Sequence, residues 1–376
     1  MAKYIQLGKN FRITGRGFVY KCNAVPERDN FRVGDTFYDI NENKIIISGI
    51  EFSGRGFEDD RIFALFTNLN DKKDKVKGKI ISSDGKPNVS FIYAANPLES
   101  NIVDDEYLKE YNSTNNTFQK MIFNYEELIY NHRLKINKKI PGLAIYRGWM
   151  LRPEQYKELY DLLVKENIYL INSPSDYERC HLLPNWYNKI RDYTAKSAWN
   201  SSNNLDDAFK LLNEFNGPVM VKDYVKSRKH EWDDACYIGN PKSDKAKEVI
   251  NNFITRQGPE FVGGTVLREF VNLKRIGYHE KSGMPISEEY RIFVLYDEIV
   301  SIIGYWGNAI TKFKKEDIDF IEWIKDHINS NFYTIDIARK EDDQLVVIEI
   351  GDGQVSGLQG FSEDEFYNNI SNIVIS

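Results

Sequence analysis

The sequence predicts an α+β protein in two parts, a small N-terminal β-barrel followed by an α/β unit, on three observations. From Phe11 to about Ser83 short β-branched and aromatic runs, FRITGRGFVYKCNAV, VGDTFYDI, KIIISGIEF, RIFALFT and KGKIIS, are divided by glycine and charged turns. Beyond Pro141, helix-length stretches alternate with short apolar runs, which is the order of an α/β unit. The chain has 376 residues, longer than one typical domain and shorter than three.

Regular short strands point to a closed barrel because closure removes exposed edges. Gly15, Gly17 and Gly34 are expected at its turns or bulges. From Asp84 to about Lys139 the pattern weakens: NSTNNT at Asn112 to Thr117 reads as a polar loop, and Glu126 to Leu134 as a helix. These boundaries give a barrel over 1–85, a connecting segment over 86–139 and a second domain over 140–376. In the last, LAIYR is a strand, PEQYKELYDLLVKEN a helix with Pro153 in its first turn, and IYLI the next strand. A helix at Leu205 to Phe215 precedes the Gly217–Pro218 break and the strand VMVKD. Strands follow at Thr265 to Val271, Tyr290 to Leu295 and Ile299 to Gly304, the last two forming a hairpin around Asp297 and Glu298. A helix near Lys315 to Asn329 leads to strands at Phe332 to Ala338 and Leu345 to Ile350.

A composition 41% hydrophobic and 14% aromatic places the chain among folded proteins rather than disordered ones. With 50 basic and 56 acidic side chains the net charge is −6. That excludes a surface matched over its whole extent to nucleic acid and leaves room for a local basic groove. Cys22, Cys180 and Cys236 have no metal spacing, and an odd number excludes a complete disulfide framework. A reducing cytosol fits this usage. No apolar run reaches the length of a signal peptide core or a membrane span, so a soluble, cytoplasmic protein is expected.

Several residues carry chemistry. Period-two alternation in VMVK puts Val219 and Val221 on one face and Met220 and Lys222 on the other. Lys222 would then emerge beside an apolar platform, to meet a phosphate or simply to be solvated at a strand end. YVKSRKHEW supplies Lys226, Arg228, Lys229 and His230, a loop over phosphates or a solvated charge run. TIDIA and VVIEIGDG are apolar strands carrying Asp336 and Glu349. Buried carboxylates are costly unless paired or metal-bound, and magnesium on a polyphosphate takes hard oxygen ligands. The alternative is two acids on exposed strand faces. Arg291 in EEYRIFV needs an anionic partner, whether a triphosphate, an acyl phosphate, or a structural pair with Glu269 or Glu288. Arg147 in YRGWML has the same two readings.

The order of these pieces resembles the ATP-grasp superfamily. IYRGWML, the CHLLPNWYNKI region, TAKSAW, EEYRIFV and IEIGDGQVSGL look like its clade named for two arginines and a lysine, found in bacteria and phages. The resemblance runs from about Ile140 to the C-terminus and implies two α+β subdomains clamping ATP. It implies a ligase that uses ATP and magnesium to activate a carboxylate, borne by a small molecule or peptide, for attack by an amine. Lys196 and Lys222 match its nucleotide lysines, Glu269, Phe270 and Val271 its adenine hinge, and Asp336 and Glu349 its metal carboxylates. Many members carry an asparagine ligand two places after the glutamate; here Gly351 stands there, beside Asp352. Arg291 matches an arginine that faces the phosphates in amino-acid-adding ligases, and Arg339 is a second candidate.

The N-terminal runs TGRGFVYKCNAV, FRVGDTF, IIISGIEF, IFALFTN and KVKGKIIS are similar in order to the β-barrel second domain of translational GTPases, although the chain has no P-loop. That likeness implies RNA or a translation component as partner, with Arg16 and Arg55 as contacts or as solvated turn arginines. Two further readings of the whole follow: a ligase or modifying enzyme acting on RNA or a translation component, and a non-catalytic ATP-binding module.

Overall fold

The structure is a computed structural model and describes residues 2–13, 17–25, 31–51, 62–67, 76–114, 116–280, 283–307 and 312–375. The chain divides into two compact units, one of residues 1–174, 293–301 and 353–376, the other of residues 175–292 and 302–352.

The first unit opens with the expected barrel. Six strands close in the order Tyr4–Ile13, Gly17–Val25, Ile62–Thr67, Lys44–Glu51, Thr36–Tyr38 and Ile80–Ser82. Ile5, Leu7, Phe37, Ile45, Ile47, Leu65 and Ile81 fill its core, as alternating apolar positions should. Gly34 has φ +94°, a turn position that favours glycine. Gly17 pairs with Ile13 at a strand end, whereas Gly15, Arg16 and Arg55 lie outside the described residues.

Residues 86–139 are not a connection, which corrects the sequence reading. Val89–Ala94 and Gln119–Phe123 join Gly142–Arg147 and Ile168–Leu170 in one sheet, all of it parallel. All six residues of VSFIYA are buried; a strand covered on both faces has no alternation to betray it. Pro153 opens the helix Pro153–Val164 as predicted. The helix Glu363–Ile375 also belongs to this unit, with Phe91 and Tyr367 packed edge to face at 5.1 Å. The boundary therefore falls after Pro174 rather than at residue 140.

In the second unit, Ser197–Trp199, Val266–Glu269, Val219–Lys222 and Tyr237–Ile238 form an antiparallel sheet in that order. The helices Leu205–Leu211 and Asp244–Gln257 share its core through Ala208, Val249, Ile250 and Phe253, packed with Val219, Val221 and Leu267. A second sheet runs Glu298–Gly304, Glu289–Leu295, Phe332–Arg339 and Leu345–Asp352. The hairpin turns at Tyr296 and Asp297, both with positive φ, 50° and 64°, the signature of a type I′ turn. Its end, residues 293–301, counts with the first unit. Cys22, Cys180 and Cys236 are free and buried. Among the described residues no helix is long and apolar enough to cross a membrane.

Candidate active site

The second unit gathers ionised side chains from both its sheets. On the antiparallel pair Phe332–Arg339 and Leu345–Asp352, Asp336 stands directly opposite Glu349, so both side chains leave the same face. Arg291, from the neighbouring strand Glu289–Leu295, grips Asp336 with two bonds, Nε to Oδ1 at 2.8 Å and Nη2 to Oδ2 at 2.7 Å. Its guanidinium also lies 4.9 Å from the Tyr305 ring centre. Lys222 reaches in from the other sheet, its Nζ 2.8 Å from Glu349 Oε1. The alternation expected in VMVK holds, with Val219 and Val221 buried and Lys222 on the half-buried face.

The partner of Arg291 is thus Asp336, not Glu269 or Glu288. Glu288 is taken by Arg339 at 3.1 Å and by Lys274 at 3.1 Å. Arg339, bound also to Asp317, is a structural ion-pair residue rather than a second phosphate arginine.

Lys229 and Glu289 complete the cluster. Burial opposes the Lys229 charge, but Glu289, Tyr305 and Glu349 outweigh it and raise the ammonium above its usual value. Burial likewise pushes Glu289 up, with Lys229 pulling down and Asp336 adding to the rise. For Glu349, burial is outweighed by Lys222, then Lys229 and Arg291, which hold its carboxyl below the ordinary range. The loop that delivers Lys229 is anchored by Asp223, which accepts from the Val225 N–H at 2.7 Å, Lys226 N–H at 2.6 Å, Val262 N–H at 3.1 Å and Gln257 Nε2 at 3.1 Å. Arg228, the residue singled out in this loop, turns instead to Glu231 and the carbonyl of Arg256.

Glu269, Phe270 and Val271, expected as an adenine hinge, lie at the other end of the first sheet. The Glu269 N–H donates to Lys196 O at 2.8 Å and the Phe270 N–H to Pro218 O at 2.9 Å. Val271 follows them with no backbone partner for its N–H among the described residues. Phe270 packs on Tyr237 at 5.1 Å and Trp232 at 5.9 Å. Lys196 is exposed, donates to Glu214 O at 2.5 Å and lies 5.0 Å from the Phe215 ring centre.

Residues 210–370 match the model of an ATP-grasp domain, family 3 of the clade named for two arginines and a lysine. The fold is that of an ATP-grasp domain. The structure is similar to that of a RimK domain ATP-grasp protein from Sphaerobacter thermophilus, with 11% identity, a TM-score of 0.50, and coverage of 77% of this chain and 100% of that one. It is similar to D-cycloserine synthetase DcsG to the same degree, with 11% identity, a TM-score of 0.50, and coverage of 76% and 99%. At this identity the likeness concerns the fold. None of the curated proteins matches the chain.

On this face Asp336 and Glu349 offer carboxylate oxygens suited to magnesium, and Glu289, two places before Arg291 on its strand, is a further acid there. Ile350 and Asp352 alternate to the face opposite Glu349, and Asp352 is fully buried there; burial first, and Asp352 after it, raise the Cys180 thiol. Among the described residues no three acid, histidine or cysteine side chains are arranged to hold a metal by themselves. A pair of carboxylates amid Lys222, Lys229 and Arg291 fits magnesium that arrives on a polyphosphate, which takes one or two protein carboxylates and fills its shell from phosphates and water.

Arg147 belongs to the first unit and is wholly enclosed. It binds both oxygens of Glu110, at 2.8 and 2.9 Å, and the carbonyls of Gly353, Gln354 and Ser356 at 2.7, 3.2 and 3.1 Å. Every arm of the guanidinium is engaged, so it holds the chain together rather than facing a substrate.

Near the acidic pair of the second unit, His181 stacks on Tyr177 at 4.7 Å. Burial lowers its imidazole from 6.5 to about 4, with Lys226 and Lys222 adding to the drop and Glu349 opposing it. Between those two values the unfolded chain binds the proton and the folded one does not, so stability falls as pH falls. The slope from this residue approaches about 1.4 kcal/mol per pH unit. Urea denaturation at pH 7 and pH 5 is expected to show a smaller loss in His181→Phe than in the parent; equal losses would remove this assignment.

Proposed function

We propose that the chain is an ATP- and magnesium-dependent ligase that activates a carboxylate as an acyl phosphate and joins it to an amine, releasing ADP and phosphate. The observation that carries this reading is the facing pair Asp336 and Glu349 set among Arg291, Lys222 and Lys229, with Glu289 beside Lys229. Such a site neutralises a polyphosphate and stabilises charge moving between its oxygens, and positioning with electrostatics carries most of phosphoryl-transfer catalysis.

Asp336 and Glu349 would hold magnesium, which when bound offsets negative charge on the phosphates. Arg291, locked on Asp336 by two bonds, fixes the orientation of that carboxylate. Lys222 and Lys229 offer ammonium donors to phosphoryl oxygens. The hinge at Glu269, Phe270 and Val271 meets the adenine, the Val271 N–H as donor and the Phe270, Tyr237 and Trp232 rings as an apolar wall; Lys196 stands beside it. The substrate carboxylate oxygen takes the γ-phosphoryl group as ADP leaves. The amine nitrogen then bonds to the acyl carbon, and phosphate departs with that oxygen as the nitrogen gives up a proton.

The test is incubation of the full chain with labelled ATP and magnesium, with and without pools of amino acids and peptides, resolving ADP from AMP. ADP that appears only with acceptor, and not in Glu349→Gln, is the expected result. AMP with label retained on the protein, or ATP binding without turnover across a broad acceptor set, would count against ligation through an acyl phosphate.

A further inference from the structure

One buried cation of the second unit has no part in the mechanism above. Arg268, in the strand Val266–Glu269, is 8% exposed, and among the described residues its hydrogen bonds all go to neutral oxygens, none to a carboxylate. Nη1 donates to Ser197 Oγ at 3.1 Å, and Nη2 to Thr194 Oγ1, Val347 O and Ile348 O at 2.7, 3.1 and 2.9 Å. The guanidinium also lies 5.8 Å from the ring centre of Trp186. Enclosing a charge in this way costs several kcal/mol, a cost that neutral packing residues would avoid.

Its targets explain the arrangement. Val347 and Ile348 immediately precede Glu349, and the ladder with Phe332–Arg339 slips there: Ile337 faces Val347, but Asp336 faces Glu349. Ile348 is therefore the extra residue of a β-bulge. Continuing the register from Ile337 without that bulge would set Ile348 opposite Asp336 and turn Glu349 to the other face. A bulge interrupts the ladder, and carbonyls left at the interruption need other donors. Arg268 supplies them to Val347 and Ile348, and Thr194 Oγ1 donates a further bond to Val347 O at 2.8 Å.

We propose that Arg268 is a positioning residue for Glu349: its guanidinium holds the bulge at Ile348 that brings Glu349 opposite Asp336. The inference rests on the reading of those two acids as magnesium carboxylates. It assigns Arg268 no contact with nucleotide or substrate.

The experiment is calorimetric titration of the full chain with ATP over a series of magnesium concentrations, for the parent, Arg268→Lys, Thr194→Val and Glu349→Gln. Lysine keeps the charge but lacks the fork that spans two carbonyls. Arg268→Lys is expected to raise the magnesium concentration for half-maximal ATP binding about tenfold, with ATP affinity at saturating magnesium close to the parent's. Thr194→Val, which keeps the arginine, is expected to raise it about threefold and answers the question if Arg268→Lys does not fold. A parental magnesium requirement in the Arg268 and Thr194 variants, with a raised one in Glu349→Gln, overturns the positioning role. ATP binding weakened equally at every magnesium concentration overturns it too, since a purely structural residue would act that way. An unchanged requirement in Glu349→Gln removes the metal reading and this inference with it.

Discussion

Replacing Lys222 with methionine is expected to lower the proposed acceptor-dependent ATP turnover by about 10²–10³-fold, while the melting temperature stays near the parent's. The stem of methionine preserves the packing, because the fold of this strand depends on Val219 and Val221 on the opposite face. What disappears is the ammonium 2.8 Å from Glu349. If that charge serves developing charge on the phosphoryl group, the loss falls on kcat more than on the KM for ATP. Glu349 also loses the largest electrostatic influence holding its carboxyl down, so the activity that remains needs a higher pH than the parent's. Turnover within tenfold of the parent, at unchanged stability, would reduce Lys222 to a partner of Glu349 alone.

Arg147→Met is expected to destabilise the first unit by about 3–5 kcal/mol, read as a drop in the midpoint of urea denaturation. The loss is large because of what remains: Glu110 would keep its charge inside the protein with only the Tyr367 hydroxyl, at 2.6 Å, among its side-chain partners described here. The carbonyls of Gly353, Gln354 and Ser356 would lose their donor as well. Adding Glu110→Gln to the variant removes the stranded charge and should recover part of the stability. A loss below about 1 kcal/mol, in the range of exposed ion pairs, would reopen a substrate-facing role for Arg147.

The barrel is legible in the sequence because short β-branched and aromatic runs are divided by glycine and charged turns, although its first strand, Tyr4–Ile13, begins ahead of the Phe11 where those runs start. Asp336 and Glu349 are legible because an acid inside an apolar run needs a reason. Arg291 carries the same signal, yet its partner does not: a strand residue's neighbour depends on sheet order, and Asp336 lies 45 positions along the chain. Val89–Ala94 escapes notice because a strand buried on both faces has no period. In the loop after Lys222, composition offers Arg228 and Lys229 equally; which turns inward is decided by Asp223 fixing the loop and Glu231 drawing Arg228 away. Arg268 could have been noticed, since VLREFV places a charge in an apolar strand just as EEYRIFV does. The bulge at Ile348 leaves no mark in the sequence.

The helix Glu363–Ile375 has a consequence for how the protein is made. It belongs to the same unit as residues 1–174, and its Phe366 and Tyr367 are fully buried, Tyr367 against Phe91. During synthesis the barrel and parallel sheet leave the ribosome long before this helix exists. At ordinary rates of elongation the gap lasts roughly tens of seconds. The second unit, continuous apart from the hairpin end, can close first. The parallel sheet, translated early, therefore waits for the last helix of the chain before Phe91 is covered by Tyr367.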